Sequence, residues 1–335
     1  MKKLIRFLLI VFLSSIYAFD VFAQPITIRV GHFPNITHAP ALVAKKMGYF
    51  EKALGSNYAV DWKIFNAGPE AMEALLAGEL DFLYVGPNPA VNGFVRSKGE
   101  AVKILAGTAA GGSAFVVRKD SNIKRFEDIS GKRVASPQKG NSQDVALIHL
   151  IREKNLSLRH EGGNVEIFNI SGGDQITAFQ RKEIDGIWTI EPWVSRLVSE
   201  ADGHILFEES ELWPEGKYAT TLFVVRKKFM DKNPELVQRW IGSYVSFLDW
   251  FNQNYTQAKK IFNEELKIET GKELPSAYLE KAFGRIQFSY EPMKEQVLES
   301  AKRAAKIGYL GKNHVDLAEL YELSFLEKAK NESKK

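Results

Sequence analysis

Gly140-Asn141-Ser142-Gln143-Asp144 joins a short apolar strand, Arg133-Val134-Ala135, to an apolar-periodic run carrying Val145, Leu147, Ile148 and Leu150. Strand, small polar turn and helix start in this order make an anion-sized cradle. The first N–H groups of a helix lack internal partners and lie at its positive dipole end. Asn141 or Ser142 would cap the helix, and Gly140 lets the backbone approach a ligand closely. Taken alone, the stretch reads first as an ordinary helix cap. The number of similar junctions elsewhere decides between the two readings.

Upstream, the same pattern recurs. Thr27 to Val30 alternates like a strand and runs into Gly31-His32-Phe33-Pro34-Asn35-Ile36-Thr37-His38, followed by a helix from Ala39-Pro40 to a glycine cap at Gly48. Val60 to Phe65 leads to Gly68-Pro69-Glu70 and a second helix. Asp81 to Val85 leads to Gly86-Pro87-Asn88-Pro89 and a third, and Val102 to Ala106 leads to Gly107 through Ser113. Alternating strands and helices predict parallel pairing with right-handed crossovers. Ligands of such sheets bind outside the carboxyl ends of the strands.

Phe-Val-Val-Arg-Lys occurs twice, at 115–119 and 223–227, and brackets a second strand–helix series. Two similar strands around one block suggest paired crossings between two lobes. From Pro234 onward apolar residues recur at helical spacing, predicting helices at Leu236 to Phe251, Thr256 to Leu266, Ser276 to Phe283, Glu295 to Ala305 and Val315 to Leu326. The charged tail from Glu327 is expected to fray.

The 335 residues, 45% hydrophobic and 26% charged, have ordinary globular composition and suffice for two lobes. Lys2, Lys3 and Arg6 precede an apolar run from Phe7 to Ile16, and Val21-Phe22-Ala23 supplies small residues for cleavage, so residues 1–23 are expected to be a secretory signal peptide. A formal charge of +4 gives no electrostatic case for nucleic acid. The chain has no cysteine, which excludes thiolate catalysis, a lipid-modified cysteine and Cys-based metal sites.

No phosphate-loop, dinucleotide, zinc-protease or nucleophile-elbow motif occurs, and the six histidines are scattered. The reading is of a non-catalytic binding site with no cofactor and no metal. Candidate contacts are Asn35, His38, Asn88, Ser142 and Gln143 at strand ends, with Phe33 as an apolar wall. Trp188-Thr189-Ile190-Glu191-Pro192-Trp193 adds Trp188 and Glu191, the carboxylate falling at a helix N-terminus that favours it.

Gly31 to Phe50, Gly86-Pro87-Asn88-Pro89-Ala90, Ser136 through Leu147 and Asp185 through Trp193 together resemble the periplasmic solute-binding proteins of ABC importers, in the nitrate/sulfonate/taurine/bicarbonate branch. The resemblance implies an α/β, two-lobed, type II-like fold with ligand in the cleft, each lobe a mostly parallel sheet flanked by helices, hinged by two crossing strands. Lobe 1 is expected at 24–115 plus 222–335 and lobe 2 at 116–221. It further implies Asn35, His38, Gly86, Asn88, Ser113, Asn141, Ser142 and Gln143 as contacts. The expected partners are a small-molecule ligand, an ABC permease and its ATPase, and the protein is expected to be monomeric and periplasmic. A small organic oxyanion, sulfonate- or taurine-like, is the expected ligand. Glu191 favours an amine-bearing one over nitrate or bicarbonate. The alternatives are an enzyme or binder for a pyrimidine-like heterocycle on the same fold, or nitrate or bicarbonate binding.

Overall fold

The computed structural model of the protein describes residues 25–311 and 315–333, so the expected signal peptide lies outside the described residues. Two sheets organise the chain. The first has strand order β11-β4-β10-β3-β1-β2, from β1 (Ile26–His32), β2 (Tyr58–Ile64), β3 (Phe82–Val85), β4 (Val102–Gly111), β10 (Ala219–Arg226) and β11 (Ile286–Phe288). The second has order β7-β6-β8-β5-β9, from β5 (Ser113–Arg118), β6 (Arg133–Ser136), β7 (Glu166–Asn169), β8 (Gly186–Ile190) and β9 (Gly203–Glu208).

The sheets are mixed rather than mostly parallel. β1 runs parallel to β2 and β3, and β6 parallel to β7 and β8. β10 and β5, the strands that carry the chain away from the hinge, run antiparallel to both neighbours. Ser113 to Phe115 pair inside the second sheet and Ala219 to Thr221 inside the first.

The crossing from β4 to β5 passes through Gly111 and Gly112, at φ +81° and +78°. Side chains are strained there, and a Cβ on either residue would meet the segment at Arg285–Ile286 at 2.5 Å. The return crossing lies alongside. Tyr218 Oη accepts the Ser113 N–H at 2.9 Å, and Thr220 Oγ1 donates to the carbonyls of Ala109 and Gly111.

The repeated Phe-Val-Val-Arg-Lys marks a correspondence between the lobes. Arg226 at the end of β10 donates from Nη2 to Asp81 Oδ1 at 2.8 Å, and Arg118 at the end of β5 donates to Asp185 Oδ1 at 3.0 Å. Each aspartate also accepts a backbone N–H from the strand beside it, Arg29 at 3.0 Å and Arg133 at 2.9 Å. Each aspartate's own carbonyl accepts the N–H of the corresponding arginine.

The helices after Pro234 lie at Pro234–Gln253, Tyr255–Thr270, Ser276–Phe283 and Lys294–Lys306. Trp240, Tyr244, Phe247 and Phe251 pack with Phe82, Tyr84 and Phe223 of the first sheet, which makes these aromatics core. The final pattern resolves into a 3-10 turn at Leu317–Leu320 and a helix at Ser324–Glu332 whose Leu326 and Ala329 are buried, so the charged tail is docked rather than frayed. β11 has no counterpart in the sequence reading. Among the described residues no helix is long and apolar enough to cross a membrane.

Candidate functional site

Between the sheets lies a cavity with about 50 Å³ for the centre of a water-sized molecule. Its lobe 1 wall includes Phe33, Asn35, Thr37, His38, Asn66, Gly68, Gly86 and Thr220, and its lobe 2 wall Asn141, Ser142, Gln143, Gln175, Ile190 and Trp193. The strand-end turns do meet. Five helices begin at this cavity, Ala39–Met47, Gly68–Leu76, Pro87–Arg96, Ser142–Glu153 and Asp174–Gln180, and the first residue of a sixth, Trp193–Glu200, lines it as well. Four of the five have no side-chain cap, their N-cap residues being His38, Ala67, Gly86 and Gly173. Positive dipole ends therefore point inward from both lobes.

The fifth helix is capped by Asn141, whose Oδ1 accepts the N–H of Gln143 at 2.9 Å and of Asp144 at 3.4 Å. That leaves Ser142 free of the capping duty. Its Oγ instead accepts the Asn88 N–H of the opposite lobe at 3.3 Å.

Several side-chain acceptors around the cavity are engaged within the protein. Asn35 Oδ1 accepts from Thr37 Oγ1 at 2.9 Å, and Gln175 Oε1 from Thr189 Oγ1 at 2.7 Å. His38 Nδ1 accepts the Phe33 N–H at 3.3 Å, which assigns the ring proton to Nε2. Burial, with His32 nearby, holds the His38 pKa well below the usual histidine value, so the ring is neutral. Its face lies 4.3 Å from that of Phe33. The Asn66 and Gln143 side-chain amides, the Ser142 hydroxyl and the imidazole N–H remain to meet a ligand, and none of the lining residues is Asp, Glu, Lys or Arg.

Seven expected contacts thus share one cavity: Phe33, Asn35, His38, Gly86, Asn141, Ser142 and Gln143. Four do not line it. The Asn88 side chain turns outward and donates from Nδ2 to Ser300 Oγ at 3.0 Å, so only its backbone faces the cleft. Ser113 sits on the hinge, where its Oγ accepts from Trp188 Nε1 at 3.1 Å. Trp188 is buried in lobe 2 against Phe115 and Phe207, and its Nε1–H also reaches Glu209 Oε2 at 2.8 Å. Glu191 is fully buried, accepting the Ser195 N–H at 3.0 Å and its hydroxyl at 2.9 Å, with Arg285 Nη1 at 3.4 Å. It caps its own helix, Trp193–Glu200, and contributes no charge to the cavity wall.

Thr37, Asn66, Gln175, Trp193 and Thr220 line the cavity without having been expected. Trp193 stood in the same motif as Trp188, and Gln175 follows the Gly172-Gly173 turn, a strand-end junction of the kind already noted. Among the described residues no group of acidic or histidine side chains is placed to hold a metal.

Two mixed sheets on a glycine hinge, closing on a cavity ringed by helix starts, define a two-lobed solute-binding protein. The chain belongs to the NMT1-like family, which matches residues 23–263. It is 31% identical to the taurine-binding periplasmic protein of Escherichia coli K12 over 70% of this chain and 69% of that one. A putative aliphatic sulfonates-binding protein of Bacillus subtilis 168 is 24% identical over 91% of this chain and 88% of its own. The alkanesulfonate-binding protein of Xanthomonas axonopodis pv. citri, solved bound to MOPS, shares the fold at a TM-score of 0.73 and 21% identity, covering 90% of this chain and all of that one.

Proposed function

We propose that this protein is the periplasmic binding component of an ABC importer and captures a small organic oxyanion, a sulfonate by preference, between its lobes. The observation that carries the reading is the convergence of helix starts from both lobes on a cavity with no charged side chain in its lining. Their positive dipole ends face inward beside neutral side-chain donors such as the His38 Nε2–H. A sulfonate is an acceptor on three sides and remains anionic at every physiological pH. Such a group matches converging N–H donors without needing a cationic side chain. Phe33, Ile190 and Trp193 offer an apolar surface to its organic tail.

The names of the relatives support a binding role and a periplasmic location, and with that role we propose a permease and an ATPase as partners and a monomeric state. No catalysis is proposed, because the chain has no cysteine nucleophile and its cavity holds no charged acid–base pair. The test is a thermal-shift and calorimetric screen with alkanesulfonates, taurine, nitrate, bicarbonate, carboxylates and pyrimidines. Ligand at a hundredfold excess over Kd stabilises the closed form by about 2.7 kcal/mol. A sulfonate hit is expected, with ligand recovered unaltered by mass spectrometry. Silence from every sulfonate at millimolar concentration defeats the reading.

A further inference from the structure

We infer that the cavity discriminates by the charge of the ligand's tail, accepting sulfonates with an uncharged tail and rejecting those that carry an ammonium. The inference rests on the sulfonate reading above and narrows it. An ammonium has three donors, no acceptor and a full positive charge, so where it is desolvated it calls for a carboxylate counter-charge. The cavity has no carboxylate in its lining. Four of its neutral acceptors, Asn35 Oδ1, Asn141 Oδ1, Gln175 Oε1 and His38 Nδ1, are each engaged by a protein donor.

The carboxylates adjoining the lining are withdrawn. Glu191, beside Ile190, accepts both donors of Ser195 and lies next to Arg285. Asp144, beside Gln143, accepts from Ser136 Oγ at 2.7 Å and from the Gly140 N–H at 2.8 Å. Glu70 and Asp174, in the first turns of two of the converging helices, are exposed to solvent and outside the lining. Helix starts from both lobes add a positive potential that repels a cation just where it attracts a sulfonate. The Trp193 face is already approached by the Arg196 guanidinium at 5.2 Å. A second cation stacked there would meet like charge.

The experiment is calorimetry on the mature full chain with three probes of nearly equal size: ethanesulfonate, isethionate and taurine. Ethanesulfonate and isethionate are expected to bind at least ~10-fold more tightly than taurine, the scale set by leaving a desolvated charged group unpaired. Raising the pH until the taurine amine is neutral is expected to bring its affinity toward that of isethionate. Asn66→Asp, which adds a carboxylate at the exposed rim of the cavity, is expected to narrow the gap at neutral pH. Taurine binding as tightly as isethionate at neutral pH overturns the inference and leaves the sulfonate reading standing. If none of the three binds, both fall together.

Discussion

Ser142 Oγ of lobe 2 accepts the Asn88 N–H of lobe 1 at 3.3 Å. The helix Pro87–Arg96 starts at Gly86, which has no side chain to cap it, so it receives its cap across the cleft. The contact is this close because Gly86 lacks a Cβ. One placed there would stand 2.7 Å from Ser142 Oγ and 3.5 Å from the Thr220 carbonyl. Closure of the lobes and capping of this helix are therefore one event.

Gly86→Ala is expected to obstruct that event without disturbing either lobe. Gly86 has φ −68°, which alanine adopts freely, so the melting temperature without ligand should stay at the wild-type value. Ligand affinity should fall by about 1–3 kcal/mol, the usual range for overpacking a closed contact. The same change in a Ser142→Ala background should weaken binding less. Additive losses in the calorimetric double-mutant cycle would show that the two residues do not meet.

Asn141 and Ser142 are neighbours with separate duties, and single variants should part them. Asn141→Ala removes a helix cap and should lower stability by ~1 kcal/mol in urea denaturation. Ser142→Ala removes a bond between lobes and should weaken ligand binding by about 0.5–1.5 kcal/mol at unchanged stability without ligand. Interchanged outcomes would refute this division.

Ligand affinity should be flat between about pH 8 and 6, the range in which an ordinary histidine changes charge. His38 is buried, and its pKa lies well below the usual value, so it stays a neutral Nε2–H donor throughout. Affinity that climbs on acidification through this range would mean a cationic His38 acting as counter-ion to the anion.

The stability of Glu209→Gln relative to the wild type should rise with pH, from a lowered baseline. Trp188 and Trp213 each donate to a different carboxylate oxygen, and glutamine offers only one. Burial raises the Glu209 pKa against the lowering influence of its bonds from Ser113, Trp188 and Trp213. The folded state therefore holds a proton that the unfolded chain releases near pH ~4.3. Stability tied to that proton is present below the unfolded pKa and is lost as the pH rises through the folded one. Urea denaturation of both proteins from acid to neutral pH reads the gap between them, from which the opposing contribution of His38 cancels. A difference, variant less wild type, that does not rise with pH would contradict a raised pKa at Glu209.

What the sequence made legible follows from chain-local physics. Gly-Pro and Gly-Asn turns at strand ends announce helix starts, and those starts form the cavity at Gly86 and Asn141. Side-chain direction is not local. Trp188 faces the lobe 2 core because of its place in β8, whereas Trp193 reaches the cleft from the first turn of its helix. Glu191 followed the dipole argument, but the helix it serves is its own. The mixed sheets escaped because antiparallel pairing of β5 and β10 depends on where the chain re-enters each lobe. Gln175 becomes a wall residue through Thr189 and the Ile170 carbonyl, two contacts that its neighbours in sequence do not announce.

The matched aspartates, Asp81 and Asp185, have a mechanical consequence. Each ties the far end of a hinge-derived strand, at Arg226 or Arg118, to the base of the neighbouring strands of its lobe. The strands are thereby pinned at the ends remote from the cleft, like levers clamped in two blocks. Movement of one lobe against the other is thereby left to Gly111-Gly112 and the segment before Ala219.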